Sequence, residues 1–308
     1  MVYMKEGNIL SSFSEAISII LKRPFILFYF SFIMLVYCVL SYIITGGNAV
    51  LYHLLAGFGL LGGGDTAENI IYIMRFAFNA IFNTARITKI LVYYTAFLLL
   101  FSTAASLLLS GYFYIVNNST NSKPKEKGEY FAGLRKYYLR VIAAIFVSML
   151  TLSLTIILIA VAAVPAVVVT SAALGNNPEL VPRAVLLDLL TLFVLFFTFM
   201  FLRMYIFFWF PSIFNNERKA FKLGKRTVDS RFFQVLSHLL AFDVVFIIYQ
   251  WLEIFMSNHY KNDLAIFVLF IVNWAFKSIF FVTLVSYVFA IYKRFNSESA
   301  TADSETLH

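Results

Sequence analysis

Three charged side chains, Arg203, Asp243 and Lys277, stand inside long apolar stretches. A lone charge at the centre of a bilayer costs at least about 2.5 kcal/mol, so such residues are expected to find partners and are the first candidates for function. Asp243 lies about 17 residues before the middle of the polar turn 257–263, and Lys277 about 17 after it. At about 1.5 Å rise per residue the two reach similar depth on neighbouring helices, which predicts an Asp243–Lys277 pair. Arg203 lies about eight residues before Pro211, and Asp243 about nine from the start of its own helix, so Arg203 competes for the same carboxylate. All three together would carry net positive charge and attract an anionic headgroup or substrate. The plainer role of such a network is to fix helix register. Two further acids, Asp188 and Glu253, are expected nearer the outer interface.

Other chemistry finds little support in the residue pattern. The histidines, His53, His238, His259 and His308, are scattered, whereas a metal site needs clustered N, S or O ligands. Ser237-His238 has no orienting acid nearby in sequence, as a nucleophile–base pair requires. Gly57-Phe-Gly59-Leu-Leu-Gly62 matches a dinucleotide-binding fingerprint by letter but lacks the strand before it and the acid after it. Asn118-Ser-Thr120 matches a glycosylation acceptor, but it falls on the side expected to be cytoplasmic. The chain therefore reads as non-enzymatic, with no catalytic residue, no metal and no cofactor.

The elements that must position these charges are membrane helices. Hydrophobic residues make up 61% of the chain and charged residues 13%, against roughly 25% charged in soluble domains. The formal charge of +8 is not a nucleic-acid signature, because the positive residues flank apolar runs instead of forming one basic domain. Runs at about 25–45, 90–115, 141–170, 184–210, 234–256 and 264–292 each have the roughly 20 residues that cross a bilayer as helix. Three short amphipathic, partly basic segments, at residues 9–22, 129–140 and 217–231, each lead into two such runs. The expected fold is an all-α integral membrane protein, a six-helix bundle of three hairpins, each preceded by a short cytoplasmic amphipathic helix. Residues 1–295 would form one transmembrane domain, and the polar tail 296–308 would be mobile.

Residues 67–86 read as a surface helix, with Arg75, Asn79 and Arg86 opposite Ile70, Met74, Phe78 and Ile81; the competing reading is a seventh span. Pro165 predicts a kink in the third span. Cys38, the one cysteine, falls inside the first span as a small core hydrophobe, and no secretory signal is recognisable, so that span should be retained.

Seventeen of the 24 Lys and Arg fall on one side of this arrangement, in the N-terminal segment, at 117–140, at 215–231 and after the last span. The positive-inside rule then puts both termini in the cytoplasm of a cell, or inner, membrane. Lys222, Lys225, Arg226, Arg135, Lys136 and Arg140 are the expected contacts to anionic headgroups, each gaining roughly 1 kcal/mol near such a leaflet. The expected partners are the bilayer and other membrane proteins, not nucleic acid.

Phe13-Ser-Glu-Ala-Ile-Ser-Ile-Ile-Leu-Lys-Arg-Pro, Tyr130-Phe-Ala-Gly-Leu-Arg-Lys and Arg218-Lys-Ala-Phe-Lys-Leu-Gly-Lys-Arg, each ahead of a span, resemble a broad group of poorly characterised prokaryotic six-span membrane proteins. That group is similar to the membrane domain fused to some glycerophosphodiester phosphodiesterases. The resemblance implies the architecture alone, since this chain carries no soluble phosphodiesterase portion and no catalytic residue transfers. The functional expectation is a non-enzymatic helper in transport or in envelope and lipid handling. The alternative is a secondary transporter or channel using the intramembrane charges, and the third is a membrane-embedded lipid enzyme.

Overall fold

The computed structural model describes residues 9–46, 84–174, 178–215, 219–259 and 263–305. The regular elements there are all helical: α1 Ile9–Lys22, α2 Phe25–Gly46, α3 Thr84–Thr120, α4 Glu129–Leu174, α5 Val181–Asn215 (after the 3₁₀ turn Pro178–Leu180), α6 Ala220–Ser230, α7 Phe232–His259 and α8 Asp263–Glu305. Five of them are long and apolar enough to cross a bilayer, and six if α1 and α2 count as one bent span. The sequence is thus that of an all-helical, multi-pass membrane protein. Residues 67–83 of the expected surface helix lie outside the described residues, and its last three belong to α3.

Local chemistry decides where these helices break. Pro24 has no N–H to continue α1, and α1 meets α2 at 91°. Between α6 and α7 the chain steps out of helical geometry at Arg231, whose φ is −129° and ψ 31°. No such breaker lies between Arg140 and Val141. The amphipathic segment 129–140, expected as a separate helix, is therefore the first part of the 46-residue α4, which runs on through Pro165. α5 likewise continues past Pro211 to Asn215, and the tail expected to be mobile extends α8 as helix to Glu305.

The chain divides into two compact units. The smaller comprises Val39–Thr103 and Phe146–Met200; in it Tyr94 donates a hydrogen bond to Ser153, and Thr170 donates to Asp188 at 2.9 Å. The larger comprises Met1–Cys38, Ala104–Ile145 and Phe201–His308, and it holds every ion pair described below. Its centre is aromatic. Phe113 of α3, Phe214 of α5 and Phe289 of α8 form a triangle with ring centroids 6.2, 5.8 and 6.3 Å apart, within the range of favourable ring pairs.

Amphipathic segments are held closely to the long helices around that centre. Gly133 of α4 lies against Tyr114 of α3, where an added Cβ would stand 2.4 Å from the Tyr114 Cβ. Gly224 of α6 lies against α5, where a Cβ would stand 2.9 Å from the carbonyl oxygen of Phe208. α1 runs along α8 and buries Ser12, Ala16 and Ile19. Tyrosine hydroxyls add direction: Tyr29 donates to the Leu108 carbonyl at 3.0 Å and Tyr130 to the Leu107 carbonyl at 2.6 Å, tying α2 and α4 to α3.

Candidate functional site

Two ion pairs hold the charges singled out from the sequence. Asp243 of α7 binds Arg203 of α5 through both carboxylate oxygens, with Nη2 to Oδ2 at 2.6 Å. The planar guanidinium fork suits this two-point contact, the strongest form of such a pair. Lys277 of α8 instead meets Glu253 of α7 at 3.5 Å. The expected Asp243–Lys277 pair is not formed, and the three charges do not share one network.

Helix register explains the correction. Tyr249 stacks on Phe276 at 3.6 Å, Phe246 meets Phe280 at 5.2 Å, and Asn273 donates to Glu253 at 2.6 Å. These contacts centre on residue 263, not on the middle of the polar turn at 260. Asp243 and Lys277 therefore differ in depth by about six residues, or about 9 Å. Lys277 falls beside Glu253, and Asp243 is left to the competing cation, Arg203.

The Glu253 carboxylate gathers further polar groups. Gln250 donates to it at 3.1 Å, and Asn273 links it to the Tyr249 hydroxyl at 3.3 Å. Next to Lys277, Trp274 donates its indole N–H to the Ser31 carbonyl of α2 at 2.8 Å, which locks α8 to α2.

A more deeply buried pair escaped the sequence reading. Arg23, at the corner between α1 and α2, meets Glu129 at the start of α4 at 2.5 Å, with side-chain exposures of 9% and 7%. Arg203 and Asp243 have 28% and 19%. Arg23 also donates to the Lys123 carbonyl, and Asn118 donates to the second Glu129 oxygen, both at 2.7 Å. The last turn of α3, Asn117 to Thr120, is buried here, and helix ends leave carbonyls without partners along the helix. Lys293 of α8 donates to the Thr120 carbonyl at 2.6 Å, placing a cation at the negative end of the helix dipole, while Glu129 stands at the positive end of α4. Because the Asn118 amide is buried and engaged with Glu129, the glycosylation-like triplet is closed to modification. The one signal in the sequence was an acid directly after Gly128 at a helix start, in a stretch otherwise read for its lysines.

The six basic residues expected at anionic headgroups are all exposed: Arg135, Lys136 and Arg140 on α4, and Lys222, Lys225 and Arg226 on α6. Lys136 and Arg140 flank the Tyr137 ring at 5.3 and 5.9 Å. Asp188 is exposed apart from its bond to Thr170. Ser237 donates to the Gln234 carbonyl of its own helix, while the buried His238 ring faces Tyr287 at 5.8 Å. Among the described residues no three His, Cys, Asp or Glu side chains converge to hold a metal ion. No protein family, curated protein or solved structure matches the chain.

Proposed function

We propose that this chain is a non-enzymatic multi-pass protein of the cell (inner) membrane, with both ends cytoplasmic, that assists transport or envelope and lipid handling by associating with other membrane proteins. In this reading six spans form three hairpins, each entered through an amphipathic segment on the cytoplasmic face. The repeated seating of Gly133 on α3, Gly224 on α5 and α1 on α8 supports that layout. So does the resemblance of the three segments to those of prokaryotic six-span proteins.

One observation carries the helper reading: the intramembrane charges are resolved into two neutral pairs, Arg203–Asp243 and Lys277–Glu253, on separate levels of the bundle. Each cation has its own carboxylate, so no three-membered cationic cluster is left to hold an anionic substrate. Such pairs fix which faces of α5, α7 and α8 meet. The exposed basic faces of α4 and α6 then anchor the protein on an anionic leaflet.

The polar groups around Glu253 favour the alternative of ion-coupled transport, and one experiment separates the two. Replacing the pair together, Arg203→Met with Asp243→Leu, and separately Glu253→Gln, should leave membrane insertion intact and change no ion or proton flux in proteoliposomes. A proton- or sodium-driven flux that Glu253→Gln abolishes at unchanged melting temperature would replace the helper with a transporter.

A further inference from the structure

We propose that the cleft between α1 and α8 binds a phosphoethanolamine group, borne on a phospholipid or free. The cleft has a volume of about 360 Å³ and is lined by Ser11, Glu15, Ala290, Lys293, Arg294 and Ser297. That volume is at the small end of ligand sites, the size of a headgroup more than of a whole lipid. Its lining combines two cations, two hydroxyls and one carboxylate. A bare anion would meet repulsion from Glu15, and a simple cation would meet Lys293 and Arg294. A zwitterion with a phosphate and a protonated amine a few bonds apart satisfies both signs at once.

The geometry assigns each end. Arg294 Nη1 lies 3.2 Å from Ser11 Oγ, so guanidinium and hydroxyl share one wall across the two helices. The Lys293 ammonium is fixed by its bond to the Thr120 carbonyl and has three protons in all to distribute. Guanidinium, ammonium and hydroxyl donors on phosphate oxygens are the strong, charge-assisted kind. Glu15 is the acceptor for the amine. Along α1, Phe13, Ile17 and Leu21 form an exposed apolar line at helical spacing, beside the face that Ser12, Ala16 and Ile19 bury. A helix with such a line lies in the headgroup region, which sets the cleft at the depth of phosphates.

The site needs from the helper reading only that α1 rests at the bilayer surface, and it stands or falls separately. Native mass spectrometry of the purified protein, offered phosphatidylethanolamine, phosphatidylcholine and phosphatidylglycerol of equal chain length, tests it. Phosphatidylethanolamine should be retained about tenfold more tightly than either, since choline has no N–H for Glu15 and glycerol has no charge for it. Glu15→Gln should erase that preference and tighten phosphatidylglycerol binding as the carboxylate's repulsion is lost, and Arg294→Gln should weaken all three. Equal retention of the three lipids by the unaltered protein, or a preference that survives Glu15→Gln, would overturn the proposal. Thermal stabilisation by free phosphoethanolamine without lipid identifies a soluble source, and stabilisation by the lipid alone identifies a membrane one; equal stabilisation by inorganic phosphate would count against the site. Glu15 is exposed, so its variant keeps the test open if Arg294→Gln fails to fold.

Discussion

At the level of single residues, Arg23 and Glu129 carry the largest electrostatic stake. Removing one member of a buried pair leaves the other charged and desolvated, which costs about 3–5 kcal/mol, whereas replacing both by apolar groups of similar size is often neutral. Glu129→Ala should therefore lower the melting temperature of the detergent-solubilised protein sharply. The double change Arg23→Met with Glu129→Leu should recover most of the loss; a double variant no better than the single one would show that the pair does not act as a unit. The sequence made the apolar setting of Arg203, Asp243 and Lys277 visible but not their pairing, because partner choice turned on three residues of register that no count from a loop can supply. It hid Arg23–Glu129 altogether, since Arg23 stands at the edge of an apolar run and Glu129 in a polar stretch, where charges are ordinary.

At the level of elements, two glycines measure how closely the amphipathic segments approach their neighbours. An Ala side chain at Gly224 would meet main chain, the Phe208 carbonyl oxygen, which cannot swing aside as a side chain can. Gly224→Ala should cost about 1–3 kcal/mol by overpacking, read as a fall in melting temperature. Gly133→Leu, forced against the Tyr114 Cβ, should cost at least as much and loosen α4 from α3, which cysteine crosslinking between those helices would register as lost yield. The long helices follow the apolar runs closely, because about 20 greasy residues leave the backbone no other way to satisfy its polar groups in lipid. Their ends were harder to place. A polar segment such as 129–140 continues into the next run as one helix unless proline or a non-helical residue intervenes, and amphipathic periodicity does not distinguish a joined helix from a separate one.

For the whole molecule, orientation is the property with the most direct test. In a Cys38→Ser background, a single cysteine at Ser297 should react with an impermeant maleimide in inverted vesicles and not in intact spheroplasts. Labelling from the outside would reverse the proposed arrangement and with it the assignment of the basic faces to the cytoplasmic leaflet. Exchanging Lys222, Lys225 and Arg226 for Gln should weaken flotation of the purified protein with anionic vesicles, and the effect should fade as salt screens it.

The seat of α1 on α8 has a consequence for the order in which the protein is made. α1 is synthesised well before α8, the helix it packs on, so this contact joins segments far apart in the chain. Nascent chains must therefore carry an undocked amphipathic helix until α8 has been made. Chains cut short before Asp263 should retain it in that state and be cleared by membrane proteases faster than the full-length protein, as a pulse-chase comparison would reveal.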